Sequence, residues 1–224
     1  MTDIPIIAID GPSGVGKGTL GQALVQKLGF HFLDSGAIYR ALAWGVLHEG
    51  VDPGDVAAVV ALARRLPVRF DAGRVLYGEH DITQAIRTEE VAAIASRVAA
   101  IPEVREALLQ RQRDFAQPPG LIADGRDMGT VVFPNATVKL FLDAAPEIRA
   151  ERRYKQLKEQ GIDANIVKII EEIRARDARD RNRPVAPLRP AGDAIVIDTG
   201  SMTVDEVIHT ACEIIRSKGI SCDD

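Results

Sequence analysis

Aromatic residues are scarce: Phe, Trp and Tyr make up 4% of the 224 residues, few for the stacking platforms that bind single-stranded nucleic acid. A basic arm is missing too, and 28 Lys plus Arg against 32 Asp plus Glu leave a formal net charge of -4. That balance argues against a general binder of nucleic acid or of anionic membrane. Long apolar runs are absent, the longest being Val56 to Ala63, well short of the ~20 residues of a membrane span. The start, MTDIPIIAID, carries Asp3 and no basic residue, so no signal peptide is expected. Only Cys212 and Cys222 occur, without a CxxC spacing or a His partner, which argues against a disulfide framework or a zinc site. A reducing, cytoplasmic location is therefore expected.

What is present is a full core's worth of apolar residues, 46% of the chain, with 27% charged. The charge is unevenly spread: Glu147 to Arg189 carries +4, leaving -8 for the remainder. Ile4–Asp10 reads as a buried strand, followed by a glycine-rich turn and a helix over Thr19–Leu28 with Leu20, Ala23, Leu24 and Leu28 on one face. A strand over Phe30–Leu33 and a helix over Gly36–Glu49 follow, the latter placing Trp44 in the core. A helix is expected over Val56–Leu66, and then a small antiparallel insert at about Pro67–Thr83, turning at Asp71-Ala72-Gly73 and Gly78. Helices over Thr88–Ile101 and Glu103–Phe115 divide at Pro102. GLIADG and TVKLFLDA return to buried-strand character. Helices over Pro146–Gln160 and Asn165 to about Asn182 precede a last strand, Ala194–Asp198, and helix, Val204–Lys218. Strands alternating with helices imply an α/β fold with a mainly parallel, doubly wound sheet.

GPSGVGKGT, Gly11–Thr19, fits the G-x-x-x-x-G-K phosphate loop in the required context, after a buried strand and opening a helix. Gly11, Gly14 and Gly16 let successive N–H groups turn towards phosphate oxygens, and the helix adds its positive end. Lys17 would bridge the terminal phosphates of a nucleoside triphosphate. The residue after Lys17 is Gly18, and the hydroxyl arrives at Thr19, so the usual magnesium-binding hydroxyl is missing. Mg²⁺ would then be held mostly by the nucleotide and, through water, by carboxylate. This Lys-Gly-Thr form resembles the nucleoside monophosphate kinases. No Asp is followed by Gly three residues on, and no Asn-Lys-x-Asp occurs, so a guanine-nucleotide switch lacks its parts.

A second phosphate site is suggested by LDSGAIYR. Ser35 and Gly36 open a helix and Arg40 lies a turn further, so a hydroxyl, backbone N–H groups and a guanidinium can converge on an anion. IADGRDMG ends a later strand. If these strands are neighbours, Gly11, Ser35 and Asp124 stand at the carboxyl ends that line the ligand crevice of an open sheet. Asp124 is then placed to hold magnesium through water and Arg126 to reach the acceptor phosphate, with Asp127 facing what that phosphate is attached to.

GPSGVGKGT, LDSGAIYR, IRTEEVAAIASRVA, VREALLQRQR, LIADGRDMGTVVFP and RDARDRNR, in this order and across essentially the whole chain, resemble the bacterial cytidylate kinase family. The resemblance implies a P-loop core (1–35, 118–145 and 191–224), a monophosphate-binding region (36–117) enlarged by the β insert, and a short helical lid (about 146–190). It implies ATP on Gly11, Pro12, Ser13, Gly14, Val15, Gly16, Lys17, Gly18 and Thr19. It places the acceptor phosphate on Ser35, Arg40 and Arg126, and the base and ribose of CMP or dCMP on Ser96, Arg105, Asp127, Asp180 and Arg183. Cytosine presents an amine beside two acceptors, which suits a carboxylate at Asp127 with donors at Arg105 and Ser96. Uracil reverses two of those positions. The nearest alternative is a UMP/CMP or other small-molecule kinase on the same core. A nucleic-acid-binding ATPase and a purely structural glycine loop are further ones.

IRARDARDRNR places five Arg with two Asp. If helical, Arg176, Arg179 and Arg183 form one stripe and Arg174 and Arg181 another. Most such runs are solvated helix faces, but phosphoryl transfer needs cations over the equatorial oxygens, and Arg176 and Arg181 are the leading lid candidates. Lys17, Asp124 and Arg126 complete the expected catalytic set. No general base is required, since the acceptor phosphate is already anionic. Only small-molecule partners and a monomer are expected. His31, His48, His80 and His209 fall in no motif.

Overall fold

Apolar runs without a polar face become interior strands, and that rule sets the middle of the sheet. The computed structural model describes residues 4–71 and 73–222. Residues 1–3 and 223–224, at the ends of the expected core, and Ala72 in the expected insert turn lie outside them. The elements in order are β1 (Ile6–Asp10), α1 (Lys17–Leu28), β2 (His31–Asp34), α2 (Ser35–His48), α3 (Val56–Arg65), β3 (Val68–Asp71), β4 (Arg74–Tyr77), β5 (His80–Asp81), α4 (Glu89–Val98), α5 (Pro102–Arg113), β6 (Leu121–Gly125), β7 (Val138–Asp143), α6 (Pro146–Glu159), α7 (Ile166–Arg181), β8 (Ile195–Asp198) and α8 (Val204–Ser217). A 3₁₀ turn at Ala85–Arg87 and a π-helical turn at Met128–Val132 were not expected from the sequence.

The larger sheet runs β2-β6-β1-β7-β8. β1 lies parallel to β6 (Ile9 beside Asp124) and to β7 (Ile9 beside Leu140), and β7 lies parallel to β8. The central strands bury both faces: Ile7, Ala8 and Ile9 of β1 and Leu121, Ile122 and Ala123 of β6 are all fully buried. Ile7, Ile9, Ile122, Leu140 and Leu142 pack with Leu20 and Leu24 of α1 and with Val207, Ala211 and Ile215 of α8. β2, β6 and β1 are consecutive neighbours, as the ligand-crevice argument requires. Among the described residues no helix is long and apolar enough to cross a membrane.

The chain divides into two compact units, one spanning Asp34–Asp114 and the other made of the segments on either side. The first holds α2 to α5 and the antiparallel sheet β3-β4-β5, with Val68 beside Tyr77 and Tyr77 beside His80. Trp44 departs from expectation: it is half-buried and stacks on His48 at 4.4 Å between ring centroids, with Tyr77 at 5.1 Å. Helices open on side-chain caps at Asp34, Asp55, Thr88, Asn165 and Thr203, each accepting a backbone N–H.

Tyr77 donates to Glu49 Oε1 at 2.5 Å while Arg65 also pairs with Glu49, so its ring cannot turn aside. A Cβ on Gly45 of α2 would lie 2.6 Å from Tyr77 Oη and 2.7 Å from its Cε2. Alanine usually stabilises a helix interior by about 1 kcal/mol relative to glycine. Gly45→Ala should nonetheless destabilise, by ~1–3 kcal/mol from overpacking. Urea unfolding checks the sign.

Candidate active site

β1 ends on Asp10, and the loop after it runs into α1. A Cβ on Gly11 would lie 2.2 Å from the Leu142 carbonyl oxygen, so the loop packs on the backbone of β7 where only glycine fits. Gly16 caps α1 at φ 94°, a left-handed conformation. The loop carbonyls are held one by one. Pro12 O accepts from Lys17 Nζ at 2.8 Å, Ser13 O from Arg149 Nη1 at 3.1 Å, Val15 O from Thr199 Oγ1 at 3.2 Å and Gly16 O from Leu20 N at 3.0 Å. In a planar trans peptide the C=O and the following N–H point opposite ways. Each tethered carbonyl therefore directs a donor the other way, and the row of donors makes an anion nest at a helix N-terminus.

Charge is concentrated beneath this loop. Lys17 is 7% exposed, and burial pushes its ammonium down to about 7. Arg126 and Arg176 push in the same direction, while Asp124 and Asp10 resist it. Asp10 accepts from Met128 N and Gly129 N, both at 2.8 Å, and its burial raises it to about 7 against those two bonds. Asp10 was not singled out in the sequence. The available signal was a carboxylate closing an otherwise apolar strand, a group that must find donors.

Asp124 faces the first turn of α1, where a Cβ on Gly18 would lie 3.9 Å from its Oδ2. No group of three or more His, Cys, Asp or Glu side chains able to hold a metal occurs among the described residues. One carboxylate beside an anion nest fits a cation bound mainly by phosphates and water, as magnesium is. Thr19 is exposed beside the loop and Val15 is buried in the core.

The arginine-rich stretch forms the C-terminal half of α7, and several of its charges meet an opposite one. Arg126 Nε meets Asp180 Oδ2 at 3.1 Å, and Arg181 Nη2 lies 3.8 Å from Asp143 Oδ1. Arg174 pairs with Glu147, and Asp177 with Arg149. Arg176 is half-buried. Arg183 corrects the stripe expected from the sequence: α7 ends at Arg181, and the buried Arg183 side chain donates to Ala186 O at 2.6 Å. Asp127 is 2% exposed and its carbonyl anchors the π-helical turn through Val131 N and Val132 N.

In the Asp34–Asp114 unit the cap of α2 is Asp34, which accepts from Ala37 N, and Ser35 is the first helical residue. Ser35 Oγ donates to Gln112 Oε1 at 2.7 Å, and Gln112 Nε2 donates to Leu108 O at 3.3 Å. A carbonyl only accepts, so the Leu108 bond fixes which end of the amide meets Ser35. Arg40 Nη2 reaches Asp34 at 3.4 Å while its buried Nε has no hydrogen-bond partner among the described residues, as a group awaiting an anion would. Arg105 is buried over the Tyr39 ring at 5.3 Å and donates to Ala99 O at 3.0 Å; Ser96 is 9% exposed. Gln112, 1% exposed, carried no local signal in the sequence.

A cavity of about 510 Å³ opens beside the loop, lined by Gly14, Gly16, Thr19 and Arg153 with Met202 and Val204. Arg152, also on its wall, donates to Thr199 Oγ1 at 3.3 Å. The sequence reading left this cavity out, because its walls come from α6 and from the turn after β8, far apart in the chain.

The family model described as cytidylate kinase matches residues 7–217. The cytidylate kinase of Aeromonas salmonicida is 60% identical over 92% of this chain and 91% of that protein. That of Klebsiella pneumoniae is 56% identical, covering 96% and 97%. A solved gluconokinase from Sinorhizobium meliloti superposes with a TM-score of 0.49 at 14% identity, covering 95% of this chain and 92% of that one. On the extent of the family match and the identity to its curated members, the chain belongs to the cytidylate kinase family.

Proposed function

We propose that this chain transfers the γ-phosphoryl group of ATP in line to the 5'-phosphate of CMP, giving ADP and CDP, and that dCMP also serves as acceptor. The observation that carries the reading is the loop whose carbonyls are tethered and whose Lys17 stands beside Asp124, Arg126 and Arg176, in a chain of this family. The residues Gly11–Thr19 take the donor phosphates, and the cavity beside them takes the donor nucleoside. Arg126, with Ser35 and Arg40, takes the acceptor phosphate. Ser96, Arg105, Asp127, Asp180 and Arg183 take its base and ribose. In the unliganded chain Ser35 Oγ donates to Gln112 and Arg126 Nε to Asp180, so the Ser35 assignment requires its bond to be exchanged for ligand, whereas Arg126 keeps its Nη donors for one.

Phosphoryl transfer asks little covalent chemistry of a protein. Lys17, Arg126, Arg176 and Arg181 would gather the two anionic substrates and stabilise charge on the transferring group. Magnesium, when bound, neutralises donor-phosphate charge, and Asp124 would hold it through water.

Lys17→Ala should lower kcat by on the order of 100-fold or more with circular dichroism unchanged; near-normal turnover would remove the loop assignment. Across a panel of CMP, dCMP, UMP and TMP, kcat/KM should favour the cytosine nucleotides. Asp127→Asn should shrink the CMP-over-UMP ratio about 5- to 150-fold, the effect of a buried mismatch of ~1–3 kcal/mol. An unchanged ratio excludes Asp127 from base reading.

The depressed Lys17 ammonium gives a pH-linked prediction. At about pH 8 the free protein holds Lys17 mostly neutral, and anionic phosphates beside it favour the charged form. ATP binding at that pH should therefore take up a proton, seen as a binding heat that varies with the ionisation enthalpy of the buffer. Lys17→Ala should abolish the uptake.

A further inference from the structure

We propose that Arg149 and Asp177 are positioning residues that hold the phosphate loop and the arginine-bearing helix α7 in one fixed register for phosphoryl transfer. The inference rests on the kinase reading above. Arg149 is 1% exposed, the largest fully buried side chain of the described residues. Its guanidinium engages all three nitrogens: Nε donates to Ala144 O at 2.9 Å and Nη1 to Ser13 O at 3.1 Å. Nη1 also meets Asp177 Oδ1 at 3.0 Å, and Nη2 meets Asp177 Oδ2. Its stem lies under the loop, where a Cβ on Gly14 would be 3.6 Å from Arg149 Cβ.

Three segments thus share one rigid planar group: the phosphate loop, the end of β7 with its following residue, and α7. A guanidinium fork cannot rotate towards one partner without leaving another. The Ser13 bond fixes the direction of the next N–H in the anion nest, and the Asp177 fork fixes the angle at which α7 meets the loop. Arg176 is the neighbour of Asp177, and its charge is already felt at Lys17. Asp180, one turn further along the same face, meets Arg126. The placement of Arg176 relative to the donor phosphates is therefore set through Arg149.

A pair kept only for stability would be an odd choice, because a buried ion pair seldom holds a helix better than apolar packing does. What it supplies instead is direction. Asparagine at 177 keeps the shape but turns an amide donor towards the fork, so the angle of α7 is lost while the Arg149 bond to Ser13 remains. Lysine at 149 keeps the charge but cannot reach Ala144, Ser13 and Asp177 together.

The test measures kcat and KM for ATP and CMP, the ATP dissociation constant by calorimetry, and thermal unfolding. Asp177→Asn should lower kcat by about 100-fold, the cost of misplacing a group by ~1 Å, and leave the ATP dissociation constant within about threefold. Arg149→Lys should lower kcat and weaken ATP binding as well. A kcat for Asp177→Asn within about threefold of the unaltered protein, or losses in kcat and both affinities that merely track the folded fraction, overturns the proposal. Should Asp177→Asn fail to fold, Arg149→Lys decides alone: kcat near that of the unaltered protein overturns the proposal, and a loss of kcat beyond the folded fraction supports it. If the unaltered protein does not phosphorylate CMP from ATP, the kinase reading falls and takes this inference with it. If it does, only the pair is in question.

Discussion

Cations crowded into a low-dielectric site repel one another and lose hydration, so a polyanion-binding site must carry its own counter-charge while empty. Everything around the loop after β1 answers that constraint. Lys17, Arg126, Arg149 and Arg176 gather there, and Asp10, Asp124, Asp177 and Asp180 stand among them. The depressed Lys17 and the raised Asp10 show how closely the balance is struck: burial pushes each towards its neutral form, and the opposite charge nearby works against the push. The same matching recurs within the basic stretch from Glu147 to Arg189. Its Arg149, Arg174 and Arg181 are met by Asp177, Glu147 and Asp143, the last of these supplied by β7 from outside the stretch.

The sheet does more than carry these residues. Placing β1 between β6 and β7 brings Asp10 beside the Met128–Val132 turn that follows β6. The same arrangement presses Gly11 against Leu142 on the other side. A carboxylate that closes the central strand thereby anchors the segment just past Arg126 and Asp127. The loop is thus wedged between neighbouring strands rather than left to its own glycines.

The elements were legible in the sequence because their signals are local. Two-faced apolar runs marked β1, β6 and β7, helical spacing marked α1 and α8, and Pro102 marked the start of α5. Most expected boundaries differ from the observed ones by one to three residues. The phosphate loop was legible because glycine spacing and a following lysine encode backbone shape. Other features were not, for a common reason. Whether Asp34 or Ser35 caps α2 depends on a difference of one residue in where strand gives way to helix. Arg183 sits past the end of α7 because the chain turns at Asn182, which no charge pattern announces. Asp10, Gln112 and Arg149 take their meaning from partners contributed by other elements: Met128, Ser35, Ser13 and Asp177. Motif reading sees a residue's neighbours in the chain, whereas a buried polar group is defined by its neighbours in space.

The bond between Arg126 and Asp180 settles how the guanidinium stands before any ligand arrives. The guanidinium is 17% exposed and its carboxylate partner 9%, and the bond occupies Nε, so the planar group is held in orientation from one edge. A five-donor group fixed by one of its N–H bonds keeps the Nη donors for other acceptors. The internal carboxylate thus acts as a splint: it occupies one donor to aim the rest, and the side-chain freedom that a free arginine would lose on meeting an anion is already lost.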